Sequence, residues 1–462
     1  MPHSHLLDDL TSIIYSNVKS SFEMTINTDS RSFKEGETFV ALVGDNFDGF
    51  NYVEQVLKLK PACVVFEDRE DRKEKLMAWE TVYSDVNFIS VTNTLSFLQD
   101  LARLHLKEWK QFKSKRKIIG ITGSNGKTTH KEMVRYLLEA VMPGKVLATK
   151  GNLNNHIGVP LTIFNLNNEH DVAIVEMGMN HPGEIEELCN IGFPEHGMIT
   201  NIGAAHIEFM KSMENIFVEK SSLYKAVLKN SKGEGMFVVN ADDPFLVRLE
   251  HSNGLTTYGE QNGDIKISIN PPEIKFNFEG FEVQISNKNI SEHHNLKNLA
   301  GTTILAMKLF PDKINEIIRA ASNYEQPNMN RSQWMENIFL DAYNANPSSM
   351  KVSLNSFVEI MKKKQVSLQD CYFVLGDMNE LGEFAPSLHK EIAEHLKSLG
   401  IKNITFIGRY REHYLSGFSD PTSSFASKEE FYEDWKKVRK NYKYIFVKAS
   451  RSLQLESLIS IF

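Results

Sequence analysis

The run Gly123-Ser-Asn-Gly-Lys-Thr-Thr129 carries the plainest chemistry in the chain. It follows the apolar stretch Lys117-Ile-Ile-Gly-Ile-Thr122 and precedes a helical pattern. Small residues in such a loop let backbone N–H groups approach phosphate oxygens, and the helix N-terminus adds positive potential. Lys127 is placed to reach the β- and γ-phosphates of a nucleotide, and the Thr128 hydroxyl to ligate Mg²⁺. Gly123, Ser124, Asn125, Gly126 and Thr129 complete the cradle. The spacing departs from the commonest GxxxxGKT form, since a glycine stands three residues before Gly126 and position 121 is Ile. A second pair of residues reads as metal ligands. Glu176 ends an apolar run that starts at Val172, and His206 lies in Thr200-Asn-Ile-Gly-Ala-Ala-His-Ile-Glu208. Either alone is an ordinary buried residue; downstream of a phosphate loop, both are placed to face its crevice.

The elements that must hold these residues alternate. Three regions are expected: 1–106, 107–323 and 324–462. The first alternates short strands (Thr38 to Val43, Ala62 to Phe66, Asn87 to Val91) with amphipathic helices, and a helix from Leu95 to Trp109 leads into the basic stretch Lys110 to Lys117. The second has strands at Lys117 to Thr122, Val172 to Glu176, Met198 to Asn201 and Met236 to Asn240, then an alternating antiparallel insertion from Ile265 to Ile285 and a helix from Asn295 to Leu309. The third has strands at Ile338 to Asp341, Tyr372 to Gly376, Ile404 to Gly408 and Tyr444 to Val447. Strands alternating with helices imply right-handed crossovers and largely parallel sheets. The predicted class is α/β with three domains, the last doubly wound and Rossmann-like. Ligands of such sheets bind beyond the carboxyl ends of strands, where the polar loops fall. Phe39, Phe50 and Trp334 read as core packing.

Composition narrows the function. Four hundred and sixty-two residues exceed one ordinary core. A net charge of −7 argues against broad nucleic-acid binding, and the basic run at Lys113 to Lys117 reads as a solvated linker. The three cysteines, Cys63, Cys189 and Cys371, are too scattered for a zinc site or a disulfide framework. Met1 to Leu10 has no apolar core of a signal peptide, and no run of about 18 apolar residues could span a membrane. A cytoplasmic monomer without membrane contact is expected.

These motifs together resemble the Mur ligase family, over nearly the whole chain, and within it the branch that adds D-alanyl-D-alanine. The resemblance rests on Thr28-Asp-Ser-Arg31, Phe47-Asp-Gly49, the phosphate loop, Gly151-Asn-Leu-Asn-Asn155 with Gly158-Val-Pro160, Thr200 to Glu208, Lys220, His294-Asn295, Arg331 and Asp341-Ala-Tyr-Asn-Ala-Asn-Pro347. Its most specific part is the last run together with Leu375-Gly-Asp-Met378 and Glu380-Leu-Gly382. The resemblance implies ATP-dependent joining of D-Ala-D-Ala to UDP-MurNAc-tripeptide, in cell-wall precursor synthesis, through an acyl phosphate. It implies that Lys127, Glu176, His206, Lys220 and Arg331 serve catalysis. Thr128, Glu176, His206 and a carbamylated Lys220 would hold Mg²⁺. Asn295 would contact adenine, Asp341 the ribose, and Arg331 the phosphates, while Ser30, Arg31, Asp48 and Gly49 would bind the UDP portion. Departures from the family pattern are Ser222, His130 and Asn51. Competing readings are a Mur ligase that adds a single amino acid, a folate polyglutamate synthase, and a nucleotide-binding scaffold without turnover. The Asp-Asn-Pro-Arg run that grips a diamino acid does not occur, and a folate enzyme would leave the uridine-like motifs without purpose.

Overall fold

A computed structural model describes residues 1–18, 20–113, 115–325, 332–418 and 422–459. Three α/β sheets follow one another along the chain. In the first, strands Ile13–Ser16, Asn87–Val91, Cys63–Glu67, Thr38–Val40 and Ile26–Asn27 lie side by side in that order. Only the edge strand Ile13–Ser16 is antiparallel to its neighbour. The helix Thr94–Phe112 runs unbroken from this sheet to the next.

The central sheet has nine strands. Its strand Lys117–Thr122, third from one edge, is flanked by Val172–Glu176 and His196–Ile199, both parallel to it. Alternate side chains enter two different cores. Ile118, Ala173, Val175 and Ile199 pack in one, and Ile119, Ile121, Val172, Ile174 and Met198 in the other. A strand buried on both faces must read as a continuous apolar run, and these do. The helix Met213–Asn230 covers one face, while Lys127–Val141 and His293–Leu309 cover the other. The chain moves to one side of Lys117–Thr122 for Val146–Ala148 and to the other for His196–Ile199. The strand therefore stands at a switch point, where a crevice opens beyond the carboxyl ends. The expected insertion is an antiparallel trio, Ile265–Asn270, Glu273–Phe278 and Phe281–Ser286, on one sheet edge.

The third sheet has six strands, ordered Gln333–Met335, Ile338–Asp341, Tyr444–Lys448, Cys371–Gly376, Ile404–Ile407 and Ser423–Phe425. It too is covered on both faces. Phe339, Phe373 and Phe446 pack with the helix Pro347–Lys363, and Leu340, Val374 and Val447 with Lys428–Asn441. This is the doubly wound arrangement expected. Cys63, Cys189 and Cys371 are buried and free. No helix among the described residues is long and apolar enough to cross a membrane.

Candidate active site

The phosphate loop is braced by the segment that follows the strand His196–Ile199. Ser124 Oγ donates to Gly203 O at 2.9 Å and accepts from Gly203 N at 2.8 Å, while Ser124 N donates to Asn201 O at 3.0 Å. Gly123 has no room for a side chain, since a Cβ there would lie 1.8 Å from Thr200 Oγ1. Gly126 turns the chain into the helix Lys127–Val141 at a left-handed φ of 76°. Lys127 folds back over the loop, its ammonium donating to Gly123 O at 2.8 Å.

Glu176 lies beneath this helix and is buried. Its Oε1 accepts from Thr128 Oγ1 at 3.2 Å and Asn154 Nδ2 at 2.8 Å. Its Oε2 is buried without a hydrogen-bond partner, with Lys131 Nζ at 3.9 Å. An open carboxylate oxygen beside a threonine hydroxyl is a hard donor set and fits Mg²⁺. No cluster of three or more His, Cys, Asp or Glu arranged to hold a metal occurs among the described residues. Mg²⁺ is commonly held through one or two carboxylates together with substrate phosphates.

A cleft of 620 Å³ separates the central and C-terminal sheets. One wall carries Ser124, Asn125, Gly126, Lys127, Thr128, Thr129, Glu176, His206 and Asn295; the other carries Asp341, Tyr343, Ser348 and Lys448. Asp341 and Lys448 end neighbouring strands in register, and their side chains meet at 2.6 Å. Burial raises the Asp341 carboxyl, but the charge and hydrogen bond of Lys448 outweigh it and hold the group below its usual range. Lys448 also donates to Asn344 O at 3.0 Å, which fixes the start of the loop Asn344–Asn346. His206 has a left-handed φ of 59°. Its Nδ1 lies 2.6 Å from Glu380 Oε2, without hydrogen-bond alignment. His206 holds the Glu380 carboxyl below its usual range.

Other expected site residues stand apart. Gly123 and Lys220 do not line the cleft. Lys220 is buried in the helix Met213–Asn230, and burial, reinforced by the charge of Lys127, pushes its ammonium pKa far down. The neighbouring Glu219 carboxylate accepts from Gly183 N and Ile185 N, each at 2.8 Å, and so ties this helix to the start of Glu184–Gly192. Ser30, Arg31, Asp48 and Gly49 belong to the N-terminal sheet region, and none lines the cleft. Arg31 pairs with Asp29 at 2.7 Å. Asp48 is paired with Arg72 and caps Phe50 N at 2.9 Å, while a Cβ on Gly49 would lie 2.8 Å from the Ala41 and Leu42 backbone. Structural duties therefore account for Asp48 and Gly49 as they stand. Arg331 lies outside the described residues.

Two residues at or beside the cleft escaped the sequence reading. Lys131 is buried and donates to Thr149 O at 2.6 Å and Gly151 O at 3.3 Å, fixing the loop that carries Asn154. Its position one helical turn after Lys127 was a usable signal. Lys448, at the end of a strand opposite Asp341, offered a weaker one.

A phosphate loop that faces a second α/β unit across a shared cleft is the arrangement of a nucleotide-dependent enzyme whose site is divided between two units. Two family descriptions match along the chain: the Mur ligase middle domain over residues 121–306, and the Mur ligase glutamate ligase domain over residues 330–451. The UDP-N-acetylmuramoyl-tripeptide–D-alanyl-D-alanine ligase of Treponema pallidum is 30% identical, with 94% of this chain and 92% of the relative covered. Among solved structures, MurF from Acinetobacter baumannii is similar with a TM-score of 0.80 and 25% identity, over 96% of this chain and 95% of that one. MurF from Thermotoga maritima in complex with ADP has a TM-score of 0.73 and 25% identity, over 95% and 97%. The chain belongs to the Mur ligase family.

Proposed function

We propose that the chain joins D-alanyl-D-alanine to UDP-N-acetylmuramoyl-tripeptide with ATP, forming ADP, phosphate and the pentapeptide precursor of the cell wall. The observation that carries this reading is the shared cleft with the phosphate loop on one wall and the Asp341–Lys448 pair on the other. The substrate comes from the relatives: the Treponema pallidum protein and others at similar coverage are named for this reaction. The Asp341 to Pro347 and Glu380 to Gly382 runs, on which the branch-level resemblance rests, both meet the central unit in this structure.

The chemistry follows from two displacements. A carboxylate oxygen of the tripeptide attacks the γ-phosphorus of ATP, and the bond from that phosphorus to the bridging oxygen breaks, releasing ADP. The amine of D-Ala-D-Ala then attacks the acyl carbon, loses a proton, and expels phosphate as the C–O bond breaks. Catalysis of this kind is mainly alignment and charge neutralisation. Lys127 and the loop N–H groups would hold the phosphates, Asn295 would contact adenine, and Asp341 the ribose; all of them but Gly123 line the cleft. The family resemblance assigns Arg331 to charge neutralisation at the phosphates. Mg²⁺ would be held by Thr128 and Glu176, with His206 and Lys220 serving a second ion, and supplies further charge neutralisation. Lys220 would take that role as a carbamate, formed when its neutral amine adds to CO₂ with loss of a proton; the downward shift that burial gives its ammonium favours the neutral amine. Ser30, Arg31, Asp48 and Gly49 would serve the UDP portion, Asp48 and Gly49 in addition to their structural duties.

The domains run 1–106, 107–323 and 324–462, and the enzyme is a cytoplasmic monomer with no nucleic-acid or membrane partner. The test is product analysis with ATP, Mg²⁺ and UDP-MurNAc-tripeptide, offering D-Ala-D-Ala or single amino acids. A product heavier by the dipeptide supports the reading. A product formed only with a single amino acid would keep the mechanism and overturn the substrate.

A further inference from the structure

Asn125, in the phosphate loop, has every polar atom engaged, and its partners come from two different units. Its backbone is held by the central unit. Asn125 N donates to Asn201 Oδ1 at 3.0 Å, and Asn125 O accepts from Thr200 Oγ1 at 2.5 Å. Its side chain is held by the C-terminal unit. Asn125 Nδ2 donates to Ser348 Oγ at 2.8 Å, and Asn346 Nδ2 donates to Asn125 Oδ1 at 2.6 Å. Ser348 Oγ in turn donates to Asn346 Oδ1 at 2.9 Å, which closes a ring of three side chains. Hydrogen bonds linked in this way polarise and strengthen one another.

The surroundings are shaped for this contact. Asn346 caps the helix Pro347–Lys363, its Oδ1 accepting from Ser349 N at 3.0 Å, so the amide is oriented before it meets the loop. Gly203 leaves the space that Ser348 enters, since a Cβ there would lie 2.5 Å from Ser348 Oγ. Nothing in helix capping requires Asn346 to carry an NH₂ group, because a carboxylate caps equally well and is favoured at a helix N-terminus. Among the described residues, the amide end donates to the phosphate loop.

We propose that Asn346 and Ser348 are positioning residues that act on ATP through Asn125, so that the phosphate loop is held from both sides only while the C-terminal unit is docked. The inference rests on the ATP-dependent reading above. Docking then fixes the loop against the γ-phosphate at the moment of transfer. A nucleotide bound to the central unit alone meets a loop with two fewer restraints.

Asn346→Asp tests this, because it keeps the helix cap and sets two acceptors against each other at Asn125. The expected result is a fall in kcat of about tenfold, with unchanged melting temperature and unchanged KM for the UDP-precursor. Ser348→Ala should act in the same direction. In an Asn125→Ala background, Asn346→Asp should change kcat by no more than about twofold, as required of residues acting through one partner. Wild-type kcat in Asn346→Asp would overturn the inference, as would an equal loss in both backgrounds or a loss explained by a lower melting temperature. Absence of turnover in the unaltered protein would instead count against the ATP-dependent reading itself.

Discussion

At the scale of residues, the site depends on groups whose charge is set by what surrounds them. Glu176 presents one bonded and one open oxygen to the phosphate-loop helix. Glu176→Gln keeps the shape and removes the charge. Its expected effect is a loss of about 10²-fold or more in kcat with little change in stability, measured by steady-state phosphate release and thermal melting. Wild-type turnover would remove Glu176 from the metal site. Buried histidines set the pH range of stability. Burial pushes His105, His130 and His389 down to about 4. An unfolded histidine titrates near about 6.5, so between these values the unfolded chain binds more protons and stability falls as pH falls. Each should cost on the order of 1–3 kcal/mol by about pH 4, read as a falling urea midpoint from about pH 7 downward. A flat midpoint would contradict the buried, neutral state of these rings. Glu176 was legible because a lone acid ends an apolar run. The duty of Asp48 was not, since its partner Arg72 is 24 residues away on a helix with no marked apolar face.

At the scale of elements, the fold was legible wherever both sheet faces are covered. Asn87–Val91, Lys117–Thr122, Val172–Glu176 and Ile338–Asp341 have the expected bounds, because a strand buried on both sides leaves an unbroken apolar signature. Thr38 to Val43 was expected as one strand and is two, Thr38–Val40 and Val43–Gly44, with the second paired to Phe47–Asp48 in a separate hairpin. Apolar content does not report such a change of partner. Nor does it report caps made across sequence. Glu219 holds the start of Glu184–Gly192 from 34 and 36 residues away. Glu219→Ala should therefore destabilise the protein by about 1–3 kcal/mol, since it strips two backbone donors of their acceptor. Chemical denaturation measures this, and an unchanged midpoint would show that water replaces the carboxylate without cost.

At the scale of the whole molecule, function resides between units. Asn125 meets Asn346 across 221 residues, and the helix containing Ser348 places that hydroxyl against Gly203. No local pattern announces such a contact; each residue reads as a turn or a cap until the two units are brought together. The motifs Asp341 to Pro347 and Glu380 to Gly382 were visible as motifs, while their use as contacts with the phosphate unit was not. If docking completes the site, the molecule should be more compact with a non-hydrolysable ATP analogue and UDP-MurNAc-tripeptide than without them. Small-angle scattering measures this, and an unchanged radius of gyration would count against closure.

The acyl phosphate is the centre of the account, and the fate of one oxygen tests it. The tripeptide carboxylate, labelled with ¹⁸O, is incubated with ATP, Mg²⁺, D-Ala-D-Ala and the protein, and the released phosphate is analysed by mass. If a carboxylate oxygen attacks the γ-phosphorus, that oxygen leaves with the phosphate, and one label per turnover is found there. Unlabelled phosphate, formed alongside dipeptide-bearing product, would mean that ATP is cleaved without activating the carboxylate, and would contradict the mechanism.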